Sequence, residues 1–192
     1  MEIEKSTITT EVHYSEDRHH RYLLYKEWDS SLKKATIIML NPAIANAVTM
    51  DLTTMYIINN ISRLGYGSVE IVNIFSKLNE EINSDITIKL LTDEMNDKMI
   101  LASVVRTDTV IFAVGKGGET NKQIKIRVEQ VMKLIKEHNN KLYEISDERG
   151  RHGWHPLAPS VRYGWNLVKV VKDKKEENNE KKKPKGVEKK LS

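Results

Sequence analysis

Two short segments carry residue types that can do chemistry within a stiff frame: Met39-Leu40-Asn41-Pro42-Ala43 and Trp154-His155-Pro156-Leu157. In each, a side chain that exchanges hydrogen bonds directly precedes a proline. Proline fixes its own φ and drives the preceding residue towards extended backbone, so Asn41 and His155 are expected in rigid turns. The Asn41 amide offers two donors and an acceptor, enough to orient a water or a base edge. An Asn-Pro pair is equally common in ordinary turns. The His155 imidazole can donate a hydrogen bond to negative charge as it develops.

Other candidates surround these two. Asn73 interrupts the apolar run Val72-Asn73-Ile74-Phe75 near its carboxyl end. Its amide either satisfies neighbouring backbone or faces a ligand cleft, where it would read the Watson–Crick edge of a base. Gly115-Lys116-Gly117-Gly118 ends an apolar run and precedes a helical one, as a plain turn or as an anion cradle. Its spacing matches neither a P-loop nor GxGxxG. Arg149, Arg151, His152 and Trp154 cluster beside His155. The arginines, with Lys116, suit phosphate contact and Trp154 suits base stacking, or the whole segment is a solvated loop. No carboxylate or cysteine pattern completes a metal site around His152 and His155, so neither metal nor cofactor is expected. His19 and His20 sit among charged residues of an N-terminal hairpin and read as surface side chains.

These residues need a scaffold, and the chain supplies one of suitable size. Its 192 residues fit one domain with a substantial core. The absence of cysteine excludes disulfides, thiolate zinc and cysteine nucleophiles. The start, Met1-Glu2-Ile3-Glu4-Lys5, lacks the pattern of a secretory signal, and no apolar run is long enough to cross a membrane. A cytoplasmic protein is expected. The net charge of +4 is concentrated in the tail, where nine lysines outweigh five acids between Lys172 and Ser192. The body is neutral overall, so any nucleic-acid affinity requires local clustering or the tail. Residues 171–192 read as a disordered extension, either solubilising or an electrostatic tether, and residues 1–170 as the α/β domain.

Strand and helix signals alternate along the body. An N-terminal β-hairpin over about residues 6–28 pairs Thr7–His13 with Arg21–Tyr25. Ala35–Leu40 is an uninterrupted apolar run of the kind buried on both faces. Asp51 caps a helix to about Leu64, with Met55, Ile58, Ile61 and Leu64 on one face and Gly65 as its stop. A strand over Val69–Phe75, a helix capped by Thr92 or Asp93, and a strand over Thr109–Val114 follow. A helix over Lys122–His138, a strand over Lys141–Ile145 and an edge strand from Trp165 complete the series. Strands joined by single helices predict a three-layer α/β/α sandwich with a mainly parallel central sheet. In such sheets ligands bind at the carboxyl ends of the strands, where both proline motifs would lie.

Taken together, residues 39–43, Asp51-Leu52-Thr53, Val72–Phe75, Asn96-Asp97, Val114-Gly115 and His155-Pro156-Leu157 resemble the bacterial and phage proteins grouped as domain of unknown function 1643. The resemblance covers roughly residues 18–165. More distantly, the order of motifs is similar to the uracil-DNA glycosylase superfamily. That similarity implies a glycosylase-like sandwich and N-glycosidic bond hydrolysis on a base in DNA or a nucleotide, as in DNA repair or modification. It assigns water positioning to Asn41, base reading to Asn73 and stabilisation of the departing base to His155, with Pro42, Phe75, Trp154 and Leu157 around the base. Two departures stand out: Ala43 where that superfamily usually has glycine, and Leu157 where it has serine. They point to a different base, to a free nucleotide, or to recognition without cleavage by a nucleic-acid-binding or nucleotide-binding module of a phage or mobile element.

Overall fold

The computed structural model describes residues 1–83, 87–116 and 121–170. Seven strands form one sheet: β1 (Thr9–Tyr14), β2 (Arg21–Glu27), β3 (Lys33–Met39), β4 (Tyr66–Asn73), β5 (Thr109–Phe112), β6 (Leu142–Ser146) and β7 (Asn166–Lys169). Their spatial order is β1-β2-β4-β3-β5-β6-β7. The central four strands are parallel, as the alternating pattern predicts. The sheet as a whole is mixed rather than mainly parallel, because β1, β2 and β7 join antiparallel at its two sides. For β1 and β2 the physical reason is connection length: a tight hairpin cannot make the crossover that parallel pairing demands.

The helices are α1 (Leu52–Arg63), α2 (Ile88–Leu91), α3 (Glu94–Arg106) and α4 (Lys122–Leu134). Side-chain alternation along the strands divides the core in two. Ile38, Val72, Val110 and Leu142 pack with Ile100 and Val104 of α3 and Val131 of α4. Ile37, Met39, Val69, Ile71 and Ile111 pack on the other face with Ile57 and Ile61 of α1 and with Val161 and Trp165. Burying each such isoleucine contributes about 2 kcal/mol, so both faces of β3 and β4 anchor the strands whose ends carry the candidate residues.

Asp51 caps α1 as expected, its carboxylate accepting from Thr54 N at 2.7 Å. The buried stripe of that helix differs from the expected one. Ile57, Ile58 and Ile61 face inward with Thr54 and Asn60, whereas Leu64 is exposed at the C-terminus of the helix. Asn60 explains the rotation, because its amide reaches the Tyr56 and Arg162 carbonyls at 2.8 and 3.0 Å and must therefore face the protein. Gly65 then ends the helix at φ +83°, a conformation glycine adopts without strain. Asp93, not Thr92, caps α3 through Asn96 N at 2.9 Å. Helix α4 stops at Leu134 and the chain continues as a 3₁₀ turn over Lys136–Lys141. Among the described residues no helix is long and apolar enough to cross a membrane. The lysine-rich tail, 171–192, lies outside the described residues.

Candidate functional site at the carboxyl edge of the sheet

The chain leaves β3 to one side, into β4, and then returns across it to β5 on the other side. The reversal makes the carboxyl ends of β3 and β5 a topological switch point, the position at which open α/β sheets have their ligand-binding crevice. Past the last paired residues, Ala113 N donates to Ile38 O at 2.9 Å and Phe75 N to Leu40 O at 3.0 Å. Continuing both registers by residue count brings Asn41 level with Gly115 on one side and Phe75 on the other. Asn41 itself is exposed, Pro42 behind it is buried, and Ala43 is exposed.

The loop that carries Asn41 is tied down by two side chains. Arg21, at the start of β2, donates to the carbonyls of Ala43 at 3.2 Å and Ala45 at 2.7 Å. Its second terminal nitrogen lies 3.5 Å from Asn73 Oδ1. Asp51 accepts from Ala45 N at 3.2 Å while capping α1. Arg21 is almost wholly buried, and burial lowers the pKa of its guanidinium, with Tyr14 and then Asp51 acting in the opposite sense. The arginine therefore bridges the end of β4 and the Asn-Pro turn. Asn73 is buried with its amide oxygen towards Arg21, which matches neither a purely backbone partner nor a fully free base-reading group.

His155 reaches the same edge from the far side. A Cβ on Gly115 would stand 2.9 Å from the His155 Cβ, so the His-Pro turn packs directly on the end of β5. Gly115 also holds φ +78°, which disfavours any side chain there. Leu157 N donates to His155 Nδ1 at 3.1 Å, which assigns the ring proton of the neutral imidazole to Nε2. Burial pushes the His155 pKa below the ordinary histidine value. Both observations favour a neutral ring with an Nε2–H donor. Gly115→Ala is expected to lower stability by about 2 kcal/mol through the φ penalty and the overlap with His155. Thermal melts check this, and an unchanged midpoint would mean that the turn shifts freely.

The remaining expected residues divide between core and loop. Phe75 is 1% exposed and packs in the core with Leu91 and Ile100, leaving no open ring face for a base. Trp154 is half-buried, with the Lys116 ammonium 4.8 Å and the Arg151 guanidinium 5.4 Å from its ring centre. Arg151 is also paired with Asp147 at 2.8 Å, so it is partly committed within the protein. Arg149 is exposed and Leu157 half-buried. Gly117 and Gly118 of the expected anion cradle lie outside the described residues.

Besides Arg21, sequence reasoning missed three structural roles at this edge. His20 is not a surface side chain: it is half-buried, its Nδ1 lies 2.8 Å from Ser76 Oγ, and it stacks on Tyr22. Tyr22 donates to Asp93 at 2.6 Å; burial first, and that hydrogen bond second, push its hydroxyl up to about 12. Asn96-Asp97 holds the exit of β4. The Asn96 amide reaches Ile74 O at 3.1 Å, Arg127 Nε reaches the same carbonyl at 2.7 Å, and Asp97 pairs with Arg127. A charged residue opening the strand Arg21-Tyr22-Leu23-Leu24 was the one sequence signal for Arg21.

Fold and edge together define an α/β protein with a mixed sheet, helices on both faces and a proline-framed polar edge at its topological switch point. Residues 21–157 match the family described as protein of unknown function (DUF1643), and the chain belongs to that family. No curated protein and no solved structure matches the chain.

Proposed function

We propose that this protein recognises a nucleobase, in DNA or in a nucleotide, at the crevice between β3 and β5, and that it hydrolyses the N-glycosidic bond of that base. The observation that carries this reading is His155: a neutral imidazole whose Nδ1 is occupied by Leu157 N and whose Nε2–H remains to donate. Breaking the bond leaves the electron pair on the base nitrogen and an oxocarbenium-like sugar. A fixed donor near the base oxygen stabilises that charge, and a water oriented by Asn41 adds to C1′. The proton shed by the water ends on the departing base, so the products are the free base and the sugar hydroxyl. The order of motifs, similar to the uracil-DNA glycosylase superfamily, supports the same assignment and its sandwich architecture. A base inside a duplex would first be flipped out.

Recognition without cleavage is the second reading, favoured by the approach of Arg21 to Asn73 Oδ1, which draws that oxygen away from a ligand. An abasic-site assay separates the two. Labelled single-stranded and duplex DNA containing uracil, hypoxanthine or other modified bases is incubated with the protein and treated with hot alkali. Strand cleavage that disappears in Asn41→Ala supports hydrolysis. Retained gel-shift binding without cleavage supports the second reading, and loss of both overturns the nucleobase assignment.

A further inference from the structure

A cavity lies at the β5 end, on the face that packs against α4. Phe112, Val114 and Gly115 at the β5 end, Glu144 of β6, and Lys125 and Val128 of α4 line it, with Lys116 and the His152-Gly153 turn at its rim and a volume of about 520 Å³. Neither Asn41, Asn73 nor His155 lines it. Register explains the arrangement. Phe112 and Glu144 are paired neighbours on β5 and β6, and Phe112 and Val114 pack towards α4. Ser146 bridges to His152, folding the chain back so that His152 returns beside Glu144. The His152 Nδ1 then lies 2.5 Å from Glu144 Oε2.

The chemistry of the lining is specific. Two lysines supply positive charge against a single carboxylate, and that carboxylate is already engaged with His152. Surplus ammonium charge at the mouth of a cavity selects an anion, and lysine is a common phosphate partner. Phe112, Val114 and Val128 form an apolar wall for a flat ligand body. The Glu144–His152 pair adds an oriented donor and acceptor for a hydroxyl or amino group. A volume of this size suits a small molecule. We propose that this cavity, which adjoins the His155 turn at Gly115, binds a small organic phosphate with a planar body, the chemistry of a free nucleoside monophosphate.

Isothermal titration calorimetry of the full chain with the four nucleoside 5′-monophosphates, inorganic phosphate and a 5′-phosphorylated oligothymidylate tests the proposal. At least one monophosphate is expected to bind more tightly than inorganic phosphate. Lys125→Glu, a reversal at an exposed position, is expected to weaken that binding about tenfold or more. Val128→Trp, which fills the cavity, is expected to abolish it, with thermal melts confirming that both variants fold. Base release in the abasic-site assay should be unchanged in Lys125→Glu, so the two sites fail separately. No heat with any monophosphate, equal binding by both folded variants, or binding of the oligonucleotide alone would overturn the assignment.

Discussion

Replacing His155 by alanine is expected to slow base release by roughly 100-fold or more, the usual consequence of deleting one preorganised donor aimed at developing charge. His155→Gln keeps an N–H donor and is expected to recover part of that loss, which a purely structural role for the ring would not produce. The pH dependence follows from the direction of the pKa shift. Burial depresses the His155 pKa in the folded protein, so the neutral ring persists below the ordinary histidine value of about 6.5. Base release should therefore hold its rate through that value and fall only at lower pH. Stability follows the same sign. The unfolded chain takes up its proton near pH 6.5 and the folded protein only below it, so the contribution is complete above that pH. It is lost as the pH falls through the depressed folded value. Melting temperatures of wild type and His155→Ala across this range measure the difference. Parallel curves would show that the ring titrates as it does in the unfolded chain.

Arg21→Met should lower stability by about 2 kcal/mol or more and loosen the Asn41 turn. Methionine preserves much of the apolar length of the side chain but removes the donors to Ala43 O, Ala45 O and Asn73 Oδ1. Ala45 is buried, and a buried acceptor left without a partner costs about 1–3 kcal/mol. For a domain of this size the melting temperature would drop by about 6 °C. Hydrogen exchange should quicken most over residues 43–54, where Ala45 N, Asn46 N and Thr54 N are now hydrogen-bonded. An unchanged melt together with unchanged exchange would show that Asp51 alone shapes the turn. Arg21 is a positioning residue in this view, and its loss should damage base release through the loop that carries Asn41.

Local chemistry made much of this protein legible in its sequence. Two apolar faces on Ala35–Met39 and Val69–Asn73 dictate strands buried on both sides, and the Asp51 carboxylate dictates where α1 begins, while the choice of Asp93 over Thr92 as the cap of α3 came from the structure. Prolines at 42 and 156 dictate stiff turns after the strand ends. These are short-range effects: periodicity, capping and φ restriction act within a few residues. What only the tertiary structure decided is which strand ends meet. Antiparallel pairing of β2 with β4 carries the start of β2 to the end of β4, so Arg21 and His20 arrive beside Asn73 and Ser76 across more than fifty residues. The buried side of α1 turned on Asn60, whose carbonyl partner at 162 lies about a hundred residues away. Phe75, which the glycosylase resemblance set beside a base, packs instead in the core on the α3 face of the sheet. Hydrogen bonds and burial between distant segments leave no periodic trace along the chain, and they are what shape the crevice.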